Sequence, residues 1–312
     1  MSDRLRIVFF GSGEFGVPTL KNLVTDHDIA LVVTQPDRPA GRKRCLAPTP
    51  IGALAESFSI PVFKPQNPND PASIGRIHDT VANAFVVIAY GHKLSPALLG
   101  ETFAINLHAS ILPKFRGAAP INWAMIRGEG ETGVSVIALA QRMDAGEIYA
   151  QQATPINPRE TAGELHGRLA DLGPAAIAQT LRQFKSRTLQ PQQQDEMTAT
   201  LAPKLKKSDG TVDFNHPAVA VRNRIHGLTP WPGAAVEIDG RRLTLVRAEI
   251  APGDTNEEPG VVRDDFTIAC AEDAIRLIDV QSPGSRVMTF DEYRHGHAVR
   301  PGSVVHGLDV AT

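Results

Sequence analysis

Residues 104–113 read Ala-Ile-Asn-Leu-His-Ala-Ser-Ile-Leu-Pro. Apolar Ile105 and Leu107 alternate here with polar Asn106 and His108, which is the period-2 pattern of a strand with one buried face and one polar face. Asn106 and His108 should therefore project from the same side of a strand. Strands and helices alternate before and after this stretch, so the sequence predicts an α/β fold built on a doubly wound parallel sheet. In such sheets ligands bind outside the carboxyl ends of the strands.

The residue types in this stretch suit a polar transfer reaction. An amide donor beside an imidazole can stabilise negative charge that develops on a carbonyl oxygen while a proton moves. Asp144 follows a second apolar stretch, from Val134 to Ala140, and precedes Gly146, so it is predicted to lie in a turn at a strand end. A carboxylate there could orient the imidazole or take the proton of an incoming amine. Alone, each residue is more simply explained by a polar strand edge or a turn, whereas the three together favour catalysis.

Longer motifs surround these residues. Asn106 to Pro113 is followed by Arg-Gly-Ala-Ala-Pro-Ile at residues 116–121, and Asp144 lies in Met-Asp-Ala-Gly at residues 143–146. Together they resemble the signature of the 10-formyltetrahydrofolate-dependent formyltransferases, and among these the family that acts on methionyl-tRNA. The resemblance implies a catalytic trio of Asn106, His108 and Asp144, and a folate site lined by Ser110, Ile111, Leu112 and Pro113. Ile111 stands where leucine is usual, a substitution of similar volume.

The resemblance also implies a reaction. A formyl group would pass from 10-formyltetrahydrofolate to the α-amino group of initiator methionyl-tRNA, giving N-formylmethionyl-tRNA for translation initiation. The folate would be consumed as a cosubstrate, and neither a metal nor NAD would be needed. A related enzyme that formylates a sugar amine would keep the same trio and is an alternative. Two further alternatives come from other classes: a nicotinamide-linked oxidoreductase and a noncatalytic RNA-binding protein.

The oxidoreductase alternative rests on a glycine motif. An apolar stretch from Leu5 to Phe10 is followed by Gly-Ser-Gly-Glu-Phe-Gly at residues 11–16, which matches G-x-G-x-x-G. A dinucleotide site also needs an acidic residue at the end of the second strand. That strand, from Ile29 to Val33, ends in Thr-Gln-Pro, and Asp37 lies beyond it. The glycines are therefore predicted to form a tight turn between a strand and a helix.

Residues 35–50 form a long proline-rich segment with no helical or strand period. Its cations are Arg38, Arg42, Lys43 and Arg44. A segment of this length in an α/β domain is functional or disordered. Its charge alone fits a solvated basic loop equally well. The segment resembles the loop that inserts at the tRNA acceptor stem in the methionyl-tRNA family, so Arg42, Lys43 and Arg44 are predicted to bind tRNA.

The rest of the chain predicts two domains. Residues 161–185 have the period of one long amphipathic helix, and Thr161 with Glu164 resembles a capping box at its start. Residues 190–207 are polar and aperiodic, which indicates a linker. A formyltransferase domain at 1–189 would then precede a smaller C-terminal OB-like β-barrel domain at 208–312 that contacts tRNA. Within it, Asp239-Gly240 is a strong signal for a hairpin turn.

Composition limits the remaining possibilities. The 312 residues carry a formal charge of −2, which argues against a protein that coats nucleic acid nonspecifically. Cys45 and Cys270 are far apart and belong to no Cys/His cluster, so a metal site is not expected. No apolar run approaches the length of a membrane helix, and the chain start lacks the apolar core of a signal peptide. A soluble, cytoplasmic monomer is expected.

Overall fold

The computed structural model describes residues 4–40, 45–253 and 257–308. The chain forms two compact units, each assembled from separate stretches. The first unit contains Met1–Arg116, Gly133–Ala153 and His166–Thr200, and the second contains Gly117–Thr132, Thr154–Leu165 and Leu201–Thr312. The domain boundaries that the sequence suggested at residues 189 and 208 stay a prediction.

The helices and strands up to residue 186 are, in chain order, β1 Arg6–Gly11, α1 Val17–Asp26, β2 Asp28–Val33, β3 Arg38–Ala40, β4 Cys45–Ala47, α2 Pro50–Ser57, β5 Val62–Phe63, α3 Pro71–His78, β6 Ala84–Ile88, α4 Pro96–Leu99, β7 Phe103–His108, β8 Arg116–Gly117, α5 Pro120–Ile126, β9 Glu131–Ala138, β10 Ile148–Pro155, α6 Ala162–Ala170 and α7 Gly173–Ser186. After these come β11 Leu201–Ala202, α8 Ala218–Gly227, β12 Ala234–Ile238, β13 Arg241–Ala251, β14 Ile268–Ala269, β15 Ala274–Gln281, β16 Val287–Thr289, α9 Phe290–His297 and β17 Val305–Gly307.

A seven-stranded sheet organises the first unit, in the order β10-β9-β7-β6-β1-β2-β5. Strand β1 is parallel to β2 and β6, β2 is parallel to β5, and β6 is parallel to β7. Strand β9 is antiparallel to β7, so the sheet is mostly rather than wholly parallel. The predicted doubly wound α/β fold is confirmed. The central strands β1 and β6 are apolar at nearly every position because both faces of the sheet are covered.

Helices cover both faces. On one face Phe10 of β1 packs in a core with Ile77 of α3 and Leu98 of α4. On the other face α1 and α7 pack together. Gly173 of α7 comes so close to the sheet that a Cβ there would lie 2.7 Å from the Leu107 side chain of β7. Helix α7 thus packs directly against the strand that carries the candidate catalytic residues.

The glycine motif after β1 serves close packing. A Cβ on Gly11 would lie 2.6 Å from the Phe9 ring and 2.9 Å from the carbonyl oxygen of Ile88 in β6. At the end of β2, where a dinucleotide site would place a carboxylate, Thr34 is fully buried and its hydroxyl lies 2.5 Å from that of Thr49. These contacts agree with the interpretation of the motif as a tight turn.

The segment from residue 161 to 185 is not one helix, as the sequence period suggested, but two, α6 and α7. Pro174 lies in the first turn of α7, where its missing N–H is tolerated, whereas inside a helix it would remove a hydrogen bond and clash with the preceding turn. The capping box is confirmed: the Thr161 amide donates to Glu164 Oε2 at 2.7 Å, and the Glu164 amide donates to Thr161 Oγ1 at 3.4 Å.

The described residues of the basic segment include two short strands, one before and one after residues 41–44. Strands β3 and β4 pair antiparallel, with Arg38 opposite Ala47. The expectation of a segment without strands is therefore wrong at its flanks, because short edge strands of three residues are too brief to show a period. Arg42, Lys43 and Arg44, the predicted tRNA contacts, lie outside the described residues.

The second unit contains an antiparallel sheet in the order β14-β15-β13-β12-β17, with β16 also paired to β15. Val262 bridges Ile268 of β14, and Val261 bridges Val304 beside β17, so one short segment links both edges of the sheet. The result is a nearly closed, barrel-like sheet, as expected for the smaller domain. Its hairpin turn is confirmed, since Asp239 and Gly240 have φ values of 50° and 72° between paired strands.

Helix α9 lies in the region for which the sequence predicts an OB-like β-barrel domain, and its local start signal is a capping box. The Thr289 hydroxyl accepts from the Glu292 amide at 3.2 Å, and Glu292 Oε2 accepts from the Thr289 amide at 2.9 Å. This capping box satisfies two donors at the start of the helix. Phe290 and Tyr293 are buried on its inner side.

Among the described helices, none has the length and apolar content needed to cross a bilayer.

A buried histidine makes the second unit sensitive to acid. His226 in α8 is 2% exposed, and its Nε2 accepts a hydrogen bond from the Ala248 amide at 3.0 Å, so the ring is held in its neutral form. Burial, and after it the nearby cations of Arg222 and Arg247, lower the pKa of His226 to about 4, although the Glu164 carboxylate acts in the opposite direction.

Because the folded pKa of His226 lies below its unfolded value of roughly 6.5, the unfolded chain takes up this proton first as pH falls. The associated stability is complete above pH ~6.5 and is lost towards pH 4. We expect the free energy of unfolding to fall by up to about 3 kcal/mol more over this range in the wild type than in His226→Gln. Denaturant unfolding followed by tryptophan fluorescence measures this in the second unit, which contains both Trp123 and Trp231. Exposed His306→Gln is the control, and equal pH slopes in the wild type and His226→Gln would contradict the assignment.

Candidate active site

The predicted catalytic side chains lie at the carboxyl end of β7. His108 is the last residue of this strand and Asn106 lies two positions before it, so both project from the same side. Strand β7 is held between β6 and β9: Asn106 pairs with Val87 on one side and with Ile137 on the other. Two neighbouring strands therefore fix the backbone from which both side chains project.

The His108 ring is buried and oriented by a backbone carbonyl. Its Nε2 lies 2.9 Å from the carbonyl oxygen of Phe115. A carbonyl oxygen only accepts hydrogen bonds, so Nε2 carries the hydrogen and Nδ1 is the nitrogen that can exchange a proton. Nδ1 lies 3.6 Å from Asp144 Oδ2. The structure thus brings His108 and Asp144 together, with Phe115 as the orienting partner that sequence reasoning missed.

Asn106 completes the trio. Its side chain is partly exposed, and within the described part of the chain its amide makes no hydrogen bond. The amide of Asn106 can therefore donate to a ligand without first breaking a contact in the protein. An amide donor beside an imidazole whose Nδ1 faces a carboxylate is suited to stabilise an oxyanion and to move a proton.

Asp144 reaches the site by a longer path than the sequence suggested. Because β9 is antiparallel to β7, the end of β9 at Ala138 lies opposite Ile105 rather than His108. The connection to β10 then carries Asp144 to the imidazole. Gly146 is needed in this connection, because a Cβ there would overlap the carbonyl oxygen of Ala138.

The predicted folate segment alternates between buried and accessible residues. Ser110 and Leu112 are buried, whereas Ile111 and Pro113 are partly exposed. The Ser110 hydroxyl donates to the carbonyl oxygen of Lys114 at 2.6 Å, which closes the turn. Ile111 and Pro113 are therefore the members of this segment that a ligand can reach.

A serine in β9 holds this segment in place. The Ser135 hydroxyl donates to the Ser110 carbonyl oxygen at 2.7 Å and accepts from the Leu112 amide at 3.1 Å. Gln151 of β10 donates to the Leu112 carbonyl oxygen at 2.9 Å. Sequence reasoning missed Ser135 and Gln151, although a polar residue inside the apolar β9 stretch was an available signal.

The predicted linker also contributes to the site region. Arg116 is 6% exposed, and its Nη1 and Nη2 each lie 3.0 Å from the Glu196 carboxylate. Its Nε and Nη2 donate to Gln194 Oε1 at 3.0 and 2.7 Å. The guanidinium of Arg116, together with that of Arg142, lowers the pKa of Glu196 to about 2. Residues 194–196, which belong to the first unit, are thus held there by the side chain of Arg116.

His92 and the acidic and cysteine side chains are further groups with the potential for chemistry, and none of them adds to the trio in the described structure. His92, after β6, is exposed, and its ring lies 5.4 Å from that of Tyr90, which fits a loop contact. Among the described residues, no group of three or more His, Cys, Asp or Glu side chains could hold a metal ion.

Comparison with known proteins decides the family. The formyl transferase family model matches residues 5–181, and the model of the formyl transferase C-terminal domain matches residues 204–298. A methionyl-tRNA formyltransferase from Geobacter sulfurreducens is 39% identical over 306 residues, covering 96% of both chains. The chain belongs to the methionyl-tRNA formyltransferase family. Further relatives of 36–38% identity have the same name.

Two solved structures show the same fold at low sequence identity. WlaRD, a sugar 3N-formyltransferase, has a TM-score of 0.66 at 14% identity and covers 91% of this chain and all of its own. HypX from Aquifex aeolicus in complex with tetrahydrofolic acid has a TM-score of 0.63 at 14% identity and covers 94% of this chain. The chain spans about half the length of HypX, 47%. Both likenesses concern the fold alone.

The geometry of the trio predicts the effect of removing each side chain. Asn106→Ala, His108→Ala and Asp144→Asn should each lower kcat for formyl transfer by about 10²-fold or more, because each removes an oxyanion donor, the proton carrier or the facing charge. Steady-state kinetics on folded protein measures this, with His92→Ala as the matched control that keeps kcat within about 3-fold, since it lacks such a contact. Near-normal turnover in a folded trio variant would remove that residue from the catalytic assignment.

Proposed function

We infer that this protein transfers the formyl group of 10-formyltetrahydrofolate to the α-amino group of methionyl-tRNA, giving N-formylmethionyl-tRNA. The observation that carries the inference is the convergence of Asn106, His108 and Asp144 at the end of β7, in a chain that belongs to the methionyl-tRNA formyltransferase family over nearly its full length. The tetrahydrofolic acid complex of HypX, which shares the fold, supports a folate as the formyl donor.

The reaction begins with attack of the methionyl amine on the formyl carbon. A carbon–nitrogen bond forms, and the formyl oxygen becomes an oxyanion. The Asn106 amide, which is unengaged in the described structure, donates to this oxygen. A donor already held on a strand between two neighbours needs little reorganisation as the charge develops, which is the condition under which such stabilisation is largest.

His108 moves the proton. Its Nε2 is occupied by the Phe115 carbonyl, so Nδ1 accepts the proton that the attacking amine loses. The imidazolium formed in this way faces the Asp144 carboxylate, which stabilises its charge. When the bond from carbon to folate N10 breaks, His108 returns the proton to that nitrogen. Formylated amine and tetrahydrofolate result, with no net change in the protonation of the trio.

The folate and the tRNA are assigned to separate parts of the chain. The accessible Ile111 and Pro113, presented by buried Ser110 and Leu112, are assigned to the folate. Arg42, Lys43 and Arg44 are assigned to the tRNA backbone, and the barrel-like second unit is assigned a further tRNA contact. The protein is proposed to act in the cytoplasm, as a monomer, on a soluble folate and initiator methionyl-tRNA.

The test is incubation of the purified protein with 10-formyltetrahydrofolate and methionyl-tRNA charged with labelled methionine. Acid-stable formylmethionine released after deacylation is the expected product. In a parallel arm a nucleotide-linked amino sugar replaces the tRNA, and formylation of the sugar alone would establish the sugar alternative. In a third arm a folate analogue should raise the melting temperature, whereas NAD, NADP and FAD should not; the reverse pattern would support the oxidoreductase alternative.

The three cations of the basic segment at residues 42–44 lead to a separate prediction about tRNA binding. Replacing Arg42, Lys43 and Arg44 together with Ala removes three possible phosphate partners, so tRNA binding should weaken. The slope of log K against log salt should flatten by up to about 0.7 to 0.9 per lost contact, because fewer counterions are released. Binding of a folate analogue should not change.

The control for this variant matches its change in charge. Exposed Lys21, Arg182 and Lys185, on α1 and α7 of the first unit, replaced together with Ala remove the same three charges elsewhere and should leave the salt slope at the wild-type value. If both triple variants bind tRNA alike, the effect is one of net charge and the loop is only a solvated surface.

A further inference from the structure

The backbone of the candidate catalytic carboxylate is strained. Asp144 has a φ of 54°, in the left-handed region that residues other than glycine rarely adopt. Such a conformation persists only where surrounding contacts hold it. The conformation is useful, because it places Asp144 Oδ2 3.6 Å from His108 Nδ1. The contacts that hold the Asp144 backbone therefore bear directly on the geometry of the site.

The side-chain amide of Gln194 supplies these contacts. Its Nε2 donates to the carbonyl oxygen of Asp144 and to that of Gly146, both at 2.7 Å. Both hydrogens of the amide group are thereby used. The two acceptors lie on either side of Ala145, so one side chain holds both the peptide group that follows Asp144 and the peptide group that follows Gly146.

Gln194 is itself held from the opposite side. Its Oε1 accepts from Nε and Nη2 of buried Arg116 at 3.0 and 2.7 Å. Exchanging the oxygen and nitrogen of the amide would set donors against donors at Arg116 and acceptors against acceptors at the turn, so this amide orientation is the one that satisfies both sides. Arg116 is paired in turn with Glu196, which also pairs with Arg142, two residues before Asp144. The chain of contacts through Gln194, Arg116 and Glu196 therefore starts at Asp144 and returns to Arg142 in the same connection between β9 and β10.

We propose that Gln194 is a positioning residue for formyl transfer, which holds the Asp144 carboxylate opposite His108 through the backbone of the turn. The role rests on the proposed function, because it concerns the same trio. Gln194 touches no reacting atom: it acts through Asp144 and is held by Arg116. A carboxylate displaced by about 1 Å would face the imidazolium less well, and misplacement on this scale can cost up to about 10²-fold in rate.

Two substitutions separate positioning from simple packing. Gln194→Ala removes both sets of contacts. Gln194→Glu keeps an acceptor for Arg116 but sets a carboxylate oxygen against the carbonyl oxygens of Asp144 and Gly146. Both variants should lower kcat by about 10- to 100-fold, with the KM of each substrate within about 3-fold of the wild type. Full activity in Gln194→Glu would mean that Gln194 serves only Arg116, and it would overturn the proposal.

Gln193→Ala is the matched control. Gln193 is the adjacent residue, of the same type and exposed, and its Nε2 donates to Glu147 Oε1 at 2.6 Å rather than to the backbone of the turn. It should keep wild-type kcat and KM. Thermal unfolding of every variant verifies folding, and if Gln194→Ala does not fold, the decision rests on Gln194→Glu, whose contact with Arg116 is retained.

A double-mutant cycle tests the route of action. If Gln194 acts through Asp144, the Asp144→Asn/Gln194→Ala variant should be no slower than Asp144→Asn alone, because the carboxylate is already lost. Multiplication of the two effects would overturn the proposal. A readout independent of catalysis is the NMR spectrum of the His108 ring, whose resonances should shift in Gln194→Ala towards those of Asp144→Asn and stay at the wild-type positions in Gln193→Ala. An absence of formyl transfer in the wild type would overturn the proposed function, and the ring resonances would then decide the positioning role by themselves.

Discussion

The hydrogen bond between His108 Nε2 and the carbonyl oxygen of Phe115 is the interaction on which the site depends. It fixes the ring and assigns the hydrogen to Nε2, which leaves Nδ1 directed towards Asp144. Without this bond the buried imidazole could rotate and either nitrogen could face the carboxylate. A single backbone acceptor, seven residues after the histidine, therefore determines which atom can exchange a proton.

This acceptor is available because the segment after β7 is shaped by other contacts. Ser110 closes a turn onto the Lys114 carbonyl, and Ser135 of β9 ties the start of that turn to the sheet. Phe115 itself has a φ of 62°, a conformation that needs support from its surroundings. Its amide donates to Thr200 Oγ1 at 2.9 Å, which supplies that support. The residues that the sequence assigned to folate thus also build the frame that orients the histidine.

Much of this arrangement could be predicted from the sequence, for identifiable reasons. The alternation of Asn106 and His108 with apolar residues is a local signal, and local signals determine which side of a strand a side chain occupies. The hairpin at Asp239-Gly240 was equally predictable, because few residues adopt positive φ at both turn positions. The division of residues 161–185 into helices α6 and α7 is signalled by Pro174, and the start of α9 is signalled by the capping box at Thr289. The apolar period runs through both α6 and α7, so the period alone does not reveal where one helix ends and the next begins.

Other features could not be predicted from local pattern. An apolar central strand has the same composition whether it runs parallel or antiparallel, so the direction of β9 was hidden. The hydrogen-bond acceptor of His108 is a backbone carbonyl, a group that every residue has and that no sequence pattern identifies. Gln194 lies 50 residues after Asp144, in a polar stretch that resembles a linker. Contacts of this kind depend on the assembled fold and become visible only there.

The charges around the turn suggest why the supporting contacts extend as far as Glu196. A buried guanidinium such as that of Arg116 needs a partner, because an uncompensated charge is costly away from water. Glu196 pairs with both Arg116 and Arg142, and this pairing lowers the pKa of Glu196 to about 2. The Glu196 carboxylate therefore stays ionised at neutral pH and offsets part of the positive charge of the two arginines near the turn.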